Sequence, residues 1–153
     1  SYTYSKAYRI IEGINNSQKY NAPYDIPHDF RISANYQINQ RWSAAALWLN
    51  SSGRPLTLPI GFYYENGEPI ALYSDRNASR FPFYSRLDLA VNYSTEASEK
   101  PYYWLINIGV FNALARKNPL GYEFISRPSD DEVAVYQYTL FSILPSISVK
   151  FNY

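Results

Sequence analysis

A chain of 153 residues has room for a single domain, and a net charge of +1 offers no basic stripe for a nucleic-acid backbone. Without a cysteine there is no disulfide framework and no thiolate nucleophile or metal ligand. The sequence is 18% aromatic, with 17 Tyr, 8 Phe and 3 Trp, and no run approaches the roughly 18 apolar residues of a membrane helix. That balance suits a transmembrane β-barrel, whose strands are apolar on one face only, and equally a secreted carbohydrate-binding sandwich.

The chain opens with no basic n-region and no apolar h-region, so no signal peptide is read there. Ser1-Tyr2-Thr3-Tyr4-Ser5 already alternates, so a first strand is predicted that ends by about Ile11. A chain that starts inside a strand reads as a piece of something longer. Residues 12 to 27, with Gly13, Asn15, Asn16, Pro23 and Pro27, read as loop. The second strand sets Phe30, Ile32, Ala34 and Tyr36 against Arg31, Ser33, Asn35 and Gln37, and a tight turn follows at Ile38-Asn39-Gln40-Arg41.

The third strand runs from Trp42 to about Asn50. Ala44, Ala45 and Ala46 blur its parity, and the preferred register puts Trp42, Ala44, Ala46 and Trp48 on one face. Ser51 to Pro82 reads as a long loop, punctuated by prolines and glycines. In the fourth strand Leu87, Leu89, Val91 and Tyr93 oppose Arg86, Asp88, Asn92 and Ser94. A short connection near Ala97-Ser98-Glu99-Lys100 leads to a fifth, with Trp104, Ile106, Ile108 and Val110 against Leu105, Asn107, Gly109 and Phe111. After a long segment, Ala113 to Tyr138, the sixth strand sets Ile147, Val149, Phe151 and Tyr153 against Ser146, Ser148, Lys150 and Asn152. Pro145 has to sit at its start or at a bulge. Helix is expected to be minor or absent.

Connections thus alternate long, short, long, short, long, the rhythm of periplasmic turns and extracellular loops in outer-membrane barrels. Aromatics of the apolar face gather at the strand ends beside the short turns: Tyr36, Trp42, Tyr93, Tyr102, Trp104, Phe151 and Tyr153. They form a girdle at one membrane interface, with Phe30, Trp48, Phe83 and Phe141 as a less regular opposite row. A soluble sandwich has no reason to rank its aromatics this way, so an antiparallel transmembrane barrel in the bacterial outer membrane is favoured over the sandwich. Closed barrels start at about eight strands and open edges are not tolerated in lipid, so about six strands read as part of a larger ring.

Several stretches carry a resemblance: Ser1-Tyr2-Thr3-Tyr4-Ser5-Lys6, Asp25-Ile26-Pro27-His28-Asp29-Phe30, Ser52-Gly53-Arg54-Pro55-Leu56-Thr57, Arg76-Asn77-Ala78-Ser79-Arg80-Phe81-Pro82, Arg86-Leu87-Asp88-Leu89, Asn112-Ala113-Leu114-Ala115-Arg116-Lys117-Asn118-Pro119 and Leu144-Pro145-Ser146-Ile147-Ser148. Together they resemble the C-terminal barrel portion of a TonB-dependent outer-membrane receptor of the Bacteroidota kind. Ile26-Pro27 departs from the basic pair expected before His28. The resemblance implies that residues 1–153 are the last part of a barrel of about twenty-two strands, with the plug domain outside this chain. It implies uptake of a solute such as a glycan, peptide or siderophore. The implied partners are the lipid bilayer, the remainder of the barrel, a surface lipoprotein lid and TonB, reached through the missing N-terminal part. A non-transporting barrel subunit that anchors an envelope complex is the alternative.

Candidate sites are few. Tyr63, Tyr64, Tyr73 and Arg76 in the longest loop are the ligand-contact candidates, because phenol rings stack on sugars and Arg supplies directed hydrogen bonds; loop packing explains them equally well. Arg31, Arg86, Asp88 and Lys150 are placed on the lumen face, where ion pairs bracing the wall are favoured over contacts to a transported solute. His28 beside Asp25 and Asp29 lacks the second imidazole or thiolate that a transition-metal site wants. Asp130-Asp131-Glu132 reads as a solvated charge run. With no Gly-rich phosphate loop, nucleophile elbow or usefully spaced carboxylate pair, neither an enzyme nor a cofactor is expected.

Overall fold

The computed structural model describes residues 1–96, 101–127 and 132–153. The protein is all-β and antiparallel. Its strands are β1 (Tyr2–Tyr4), β2 (Tyr8–Arg9), β3 (Tyr20–Asn21), β4 (His28–Gln37), β5 (Trp42–Ser51), β6 (Pro55–Leu56), β7 (Pro59–Glu65), β8 (Glu68–Tyr73), β9 (Ser79–Arg80), β10 (Tyr84–Ser94), β11 (Tyr103–Phe111), β12 (Pro119–Arg127), β13 (Glu132–Thr139) and β14 (Leu144–Asn152). One 3-10 turn, Asn15–Ser17, is the only helical element among the described residues.

Six strands form one sheet in the order β1-β4-β5-β10-β11-β14, and the others pair off as small two-stranded sheets. The outer strands, β1 and β14, each pair on one side only, so the described residues contain no closed barrel.

Register carries the alternation straight across the sheet. Ile32 lies opposite Trp48, Trp48 opposite Leu87, Val91 opposite Ile108, and Ile108 opposite Ile147. The preferred parity of the third strand is therefore the observed one: Trp42, Ala44, Ala46 and Trp48 join Phe30, Ile32, Ala34 and Tyr36 on the apolar face. On the other face lie Arg31, Arg86, Asp88 and Lys150, because each pairs with a residue of the opposite parity: Arg31 and Arg86 with Leu49, Asp88 with Leu47, Lys150 with Leu105.

Among the described residues, none covers the apolar face. Ile108 is 52% exposed and Ile147 71%, and the large apolar side chain that is buried among the described residues, Tyr20, lies away from this sheet. A sandwich needs a second inward-facing sheet, and the remaining sheets are two-stranded pairs within the long connections.

The sheet's two short turns share one end. Between β4 and β5, Asn39 Oδ1 accepts the N–H groups of Arg41 (2.9 Å) and Trp42 (3.0 Å), an Asx-type closure that explains the tightness at Ile38-Asn39-Gln40-Arg41. The second short connection, Ala97-Ser98-Glu99-Lys100, lies outside the described residues.

Two expectations need correcting. The first strand does not run to Ile11: β1 stops at Tyr4, and β2 belongs to a separate pair with β3. Asp25 Oδ1 captures the Ala7 N–H at 2.6 Å, and the Ala22 N–H donates to the Ala7 carbonyl, so the chain leaves the sheet there. The long connections are not structureless either. Ser51 to Pro82 holds the β7–β8 hairpin, closed by Asn66 (φ 54°) and Gly67 (φ 84°), and Ala113 to Tyr138 holds the β12–β13 pair. An Asn-Gly pair with both residues at positive φ is the two-residue turn whose twist matches the flanking strands. Pro59 is tolerated as the first residue of β7 and Pro69 on a two-stranded edge, so neither breaks the hairpin. Gly67→Ala would strain that turn by about 1 kcal/mol; amide exchange across β7–β8 should speed up while the six-stranded sheet is unchanged.

Candidate functional site

Polar side chains of the six-stranded sheet converge near the end that carries the long connections. In β10, Arg86 donates from Nη2 to Asp88 at 2.9 Å and from Nη1 to the Tyr84 hydroxyl at 3.3 Å. Its guanidinium lies 4.3 Å from the centre of the Phe111 ring. Asp88 Oδ1 in turn accepts the Asn112 N–H at 2.9 Å, tying the end of β11 to the middle of β10. The two-residue spacing of Arg86 and Asp88 does produce an ion pair, and it braces one neighbouring strand end.

Asn112 is 2% exposed and holds the base of the last long connection. Its Nδ2 donates to the carbonyls of Arg116 (3.0 Å), Phe141 (3.3 Å) and Ser142. Nearby, the Asn118 side chain closes a reciprocal pair with the Ser85 backbone, accepting its N–H at 3.1 Å and donating to its carbonyl at 2.8 Å. Arg116 Nη2 donates to the Phe83 carbonyl at 2.7 Å.

The first two long connections are laced together in the same manner. Asn15 brackets Arg76, accepting its N–H (2.8 Å) and donating to its carbonyl (3.0 Å). Asn77 Nδ2 donates to the Asn21 carbonyl at 2.7 Å, and the Asn77 N–H to Thr57 Oγ1 at 2.9 Å. Asp25, 2% exposed, pairs with Arg80 and accepts the Ala7 N–H, while Arg80 Nη1 reaches the carbonyls of Asp25 (2.9 Å) and Gly53 (3.1 Å).

Burial alone pushes the Asp25 carboxyl up; the Ala7 N–H and the Arg80 guanidinium outweigh it and hold the group below its ordinary 3.8. The folded protein therefore binds this proton more weakly than the unfolded chain. The stabilisation is complete above the ordinary value and is lost as pH falls through the lowered one. The protection factor of the Ala7 amide should accordingly be flat from neutral pH down to the ordinary carboxylate range and drop only in stronger acid.

Gly53 has a different reason to be where it is. A Cβ there would lie 1.7 Å from the Phe81 carbonyl oxygen, which is backbone and has no room to yield. Gly53→Ala is expected to cost about 3 kcal/mol or more, read as a lowered melting temperature and faster proteolysis between β5 and β10.

The ligand-contact candidates occupy the β7–β8 hairpin and the segment after it. Tyr63 and Tyr64 are adjacent in β7 and so face opposite sides, both exposed; Tyr73 is exposed at the end of β8. The Arg76 backbone is fixed by Asn15. The hairpin presents these rings separately, and none of the four residues lines a described hollow. Arg31 pairs with Asp29 at 2.7 Å, and Lys150 borders an open hollow of about 680 Å³ near the short-turn end, with Arg41, Asn92 and Asn107. His28 sits on the apolar face, its Nδ1 2.8 Å from the Tyr2 hydroxyl and its ring against Tyr4, with no metal-ligating cluster among the described residues. Asp130 and Asp131 lie outside the described residues.

The girdle residues do gather. Trp42 and Tyr93 are 4.7 Å apart between ring centres and Trp104 and Phe151 4.6 Å, with Tyr102 and Tyr153 flanking Phe151. Tyr36 stands exposed at the end of β4. Phe30 and Trp48 meet edge-on at 6.3 Å towards the opposite end.

Sequence reasoning about chemistry passed over Asn15, Asn21, Asn77, Asn112 and Asn118, which turn out to be the loop anchors. For Asn77, Asn112 and Asn118 the signal was present as Asn in the resemblance-bearing stretches, and at Asn77 (φ 59°) and Asn112 (φ 53°) the backbone is left-handed. Comparison with known proteins finds no matching family, no matching curated protein and no matching solved structure.

Proposed function

We propose that this chain is barrel wall, with its surface loops, from a TonB-dependent receptor of the outer membrane that binds and passes a solute without transforming it. One observation carries the reading. An apolar face runs unbroken across six paired strands and is left uncovered, with aromatic rings ranked along one end of it. Lipid is the solvent for which such a face is built, and aromatic rows belong at its boundary with water. In that setting the free sides of β1 and β14 pair with further strands of the ring, since unpaired backbone is not tolerated in hydrocarbon. The polar face then looks into the lumen, and the laced long connections stand on the cell surface, open to a lipoprotein lid.

The test uses the full-length protein in outer-membrane preparations. A barrel runs faster on a detergent gel unheated than boiled and needs detergent to stay dispersed. A compact, monomeric 153-residue chain in plain buffer would overturn the proposal.

A further inference from the structure

Where the sheet meets the first long connection, its apolar face ends on rings and cations. Tyr2 lies opposite Phe30 and Tyr4 opposite His28, so all four share that face, and the His28 ring centre is 5.2 Å from that of Tyr4 and 6.2 Å from that of Tyr2. Two residues beyond Tyr4 comes Lys6. Hydrogen bonding to the Tyr4 hydroxyl, with a smaller part from Tyr8, holds its ammonium above the ordinary 10.5, so it is a full cation at neutral pH. Lys19 reaches the same place from the far side of the connection, its Nζ 3.8 Å from the centre of the Tyr8 ring and well inside cation–π range. Tyr8 is thus the shared neighbour of two ammonium groups.

Neither cation has an anionic partner among the described residues, whose ion pairs are Arg31–Asp29, Arg80–Asp25 and Arg86–Asp88. Asp25 is the carboxylate that feels Lys6, but it is 2% exposed and already committed to Arg80 and the Ala7 N–H. Two like charges gathered about one ring repel each other, and an anion seated between them relieves that. What lies below them narrows the anion. Tyr2, Tyr4 and Ile32 stand exposed on the uncovered face directly beneath, so a small hydrophilic anion would use the upper half of the surface only. A molecule with a charged head and an apolar body matches both halves. Phosphate oxygens accept charge-assisted hydrogen bonds from ammonium groups, and basic clusters at a membrane boundary attract anionic headgroups.

We infer that Lys6 and Lys19, gathered about Tyr8, bind the phosphate of an anionic membrane lipid whose acyl chains lie along the apolar face beneath. The inference rests on the barrel reading for the position of the bilayer. To general lipid contact it adds one fixed, headgroup-selective site beside β1 and β4.

The test is native mass spectrometry of full-length protein in neutral detergent, mixed in turn with lipid A, phosphatidylglycerol and zwitterionic phosphatidylcholine, with inorganic phosphate as competitor. At least one of the two anionic lipids should stay bound in preference to phosphatidylcholine, and millimolar phosphate should not displace it. The double variant Lys6→Gln, Lys19→Gln should weaken that binding roughly tenfold. Arg9→Gln is the matched control: Arg9 follows Tyr8 in β2 and so faces the other way, over Tyr24, and its loss should leave binding as in the parent. Equal retention of all three lipids overturns the inference, as does retention of none or binding indifferent to the double substitution. An Arg9→Gln effect as large as the double variant's would show diffuse surface charge instead of a site, and displacement by phosphate would show a free-anion site; either result overturns it. All variants should keep the heat-dependent gel shift of a folded barrel. Absence of that shift in the unaltered protein would instead count against the barrel reading.

Discussion

Ile108→Arg is expected to destabilise the protein in a bilayer by about 2–4 kcal/mol, the cost of a cation at mid-depth on a lipid-facing strand. Ile108 sits in the middle of β11, between Val91 and Ile147, and is 52% exposed. Facing water, the same substitution would fall within about 0.5 kcal/mol, as most surface changes do. Ser148→Arg is the matched control, since Ser148 pairs with Asn107 on the polar face and should tolerate the charge. Urea titrations of both variants in liposomes separate the outcomes. Equal, small effects would remove the reason for placing lipid against the apolar face.

Asp25→Ala is expected to cost about 3 kcal/mol, because it strands the Arg80 guanidinium and the Ala7 N–H together. The value belongs at the low end of the range for a broken buried pair, since the Arg80 side chain is 32% exposed and water can reach it. Asp25→Asn keeps an acceptor for Ala7 but loses the charge, and should fall between the alanine variant and the parent. Limited proteolysis of residues 5–27, compared with thermal melting of the whole, distinguishes local release of the connection from global unfolding. An alanine variant that melts and resists protease like the parent would show that the first two connections are held by Asn15 and Asn77 alone.

How much was readable follows from what each region needs. β4, β10, β11 and β14 were legible because alternation is a strand's own signature, and here no overlying layer interrupts it. β5 was legible despite Ala44, Ala45 and Ala46, since Trp42 and Trp48 six positions apart fix its parity. The end of β1 was not, because a contact between Ala7 and Asp25, 18 positions apart, decides it. The β7–β8 hairpin was announced by Asn66-Gly67, but Pro59 and Pro69 argue for loop when each proline is read without its edge position. The loop anchors were the hardest to see. Asn112 and Arg80 act through backbone carbonyls of distant segments, and a sequence does not show which carbonyls will be near.

The free margin of β14 has a consequence for handling the chain by itself. Along its nine residues, Leu144–Asn152, alternate backbone groups point away from β11 and form an open row of donors and acceptors beside Ile147, Val149 and Phe151. Such a row recruits any extended segment that meets it, including β1 of another copy, so isolated molecules should string together head to tail. Filament growth that rises with concentration, and that Ile147→Lys suppresses, is the behaviour to look for.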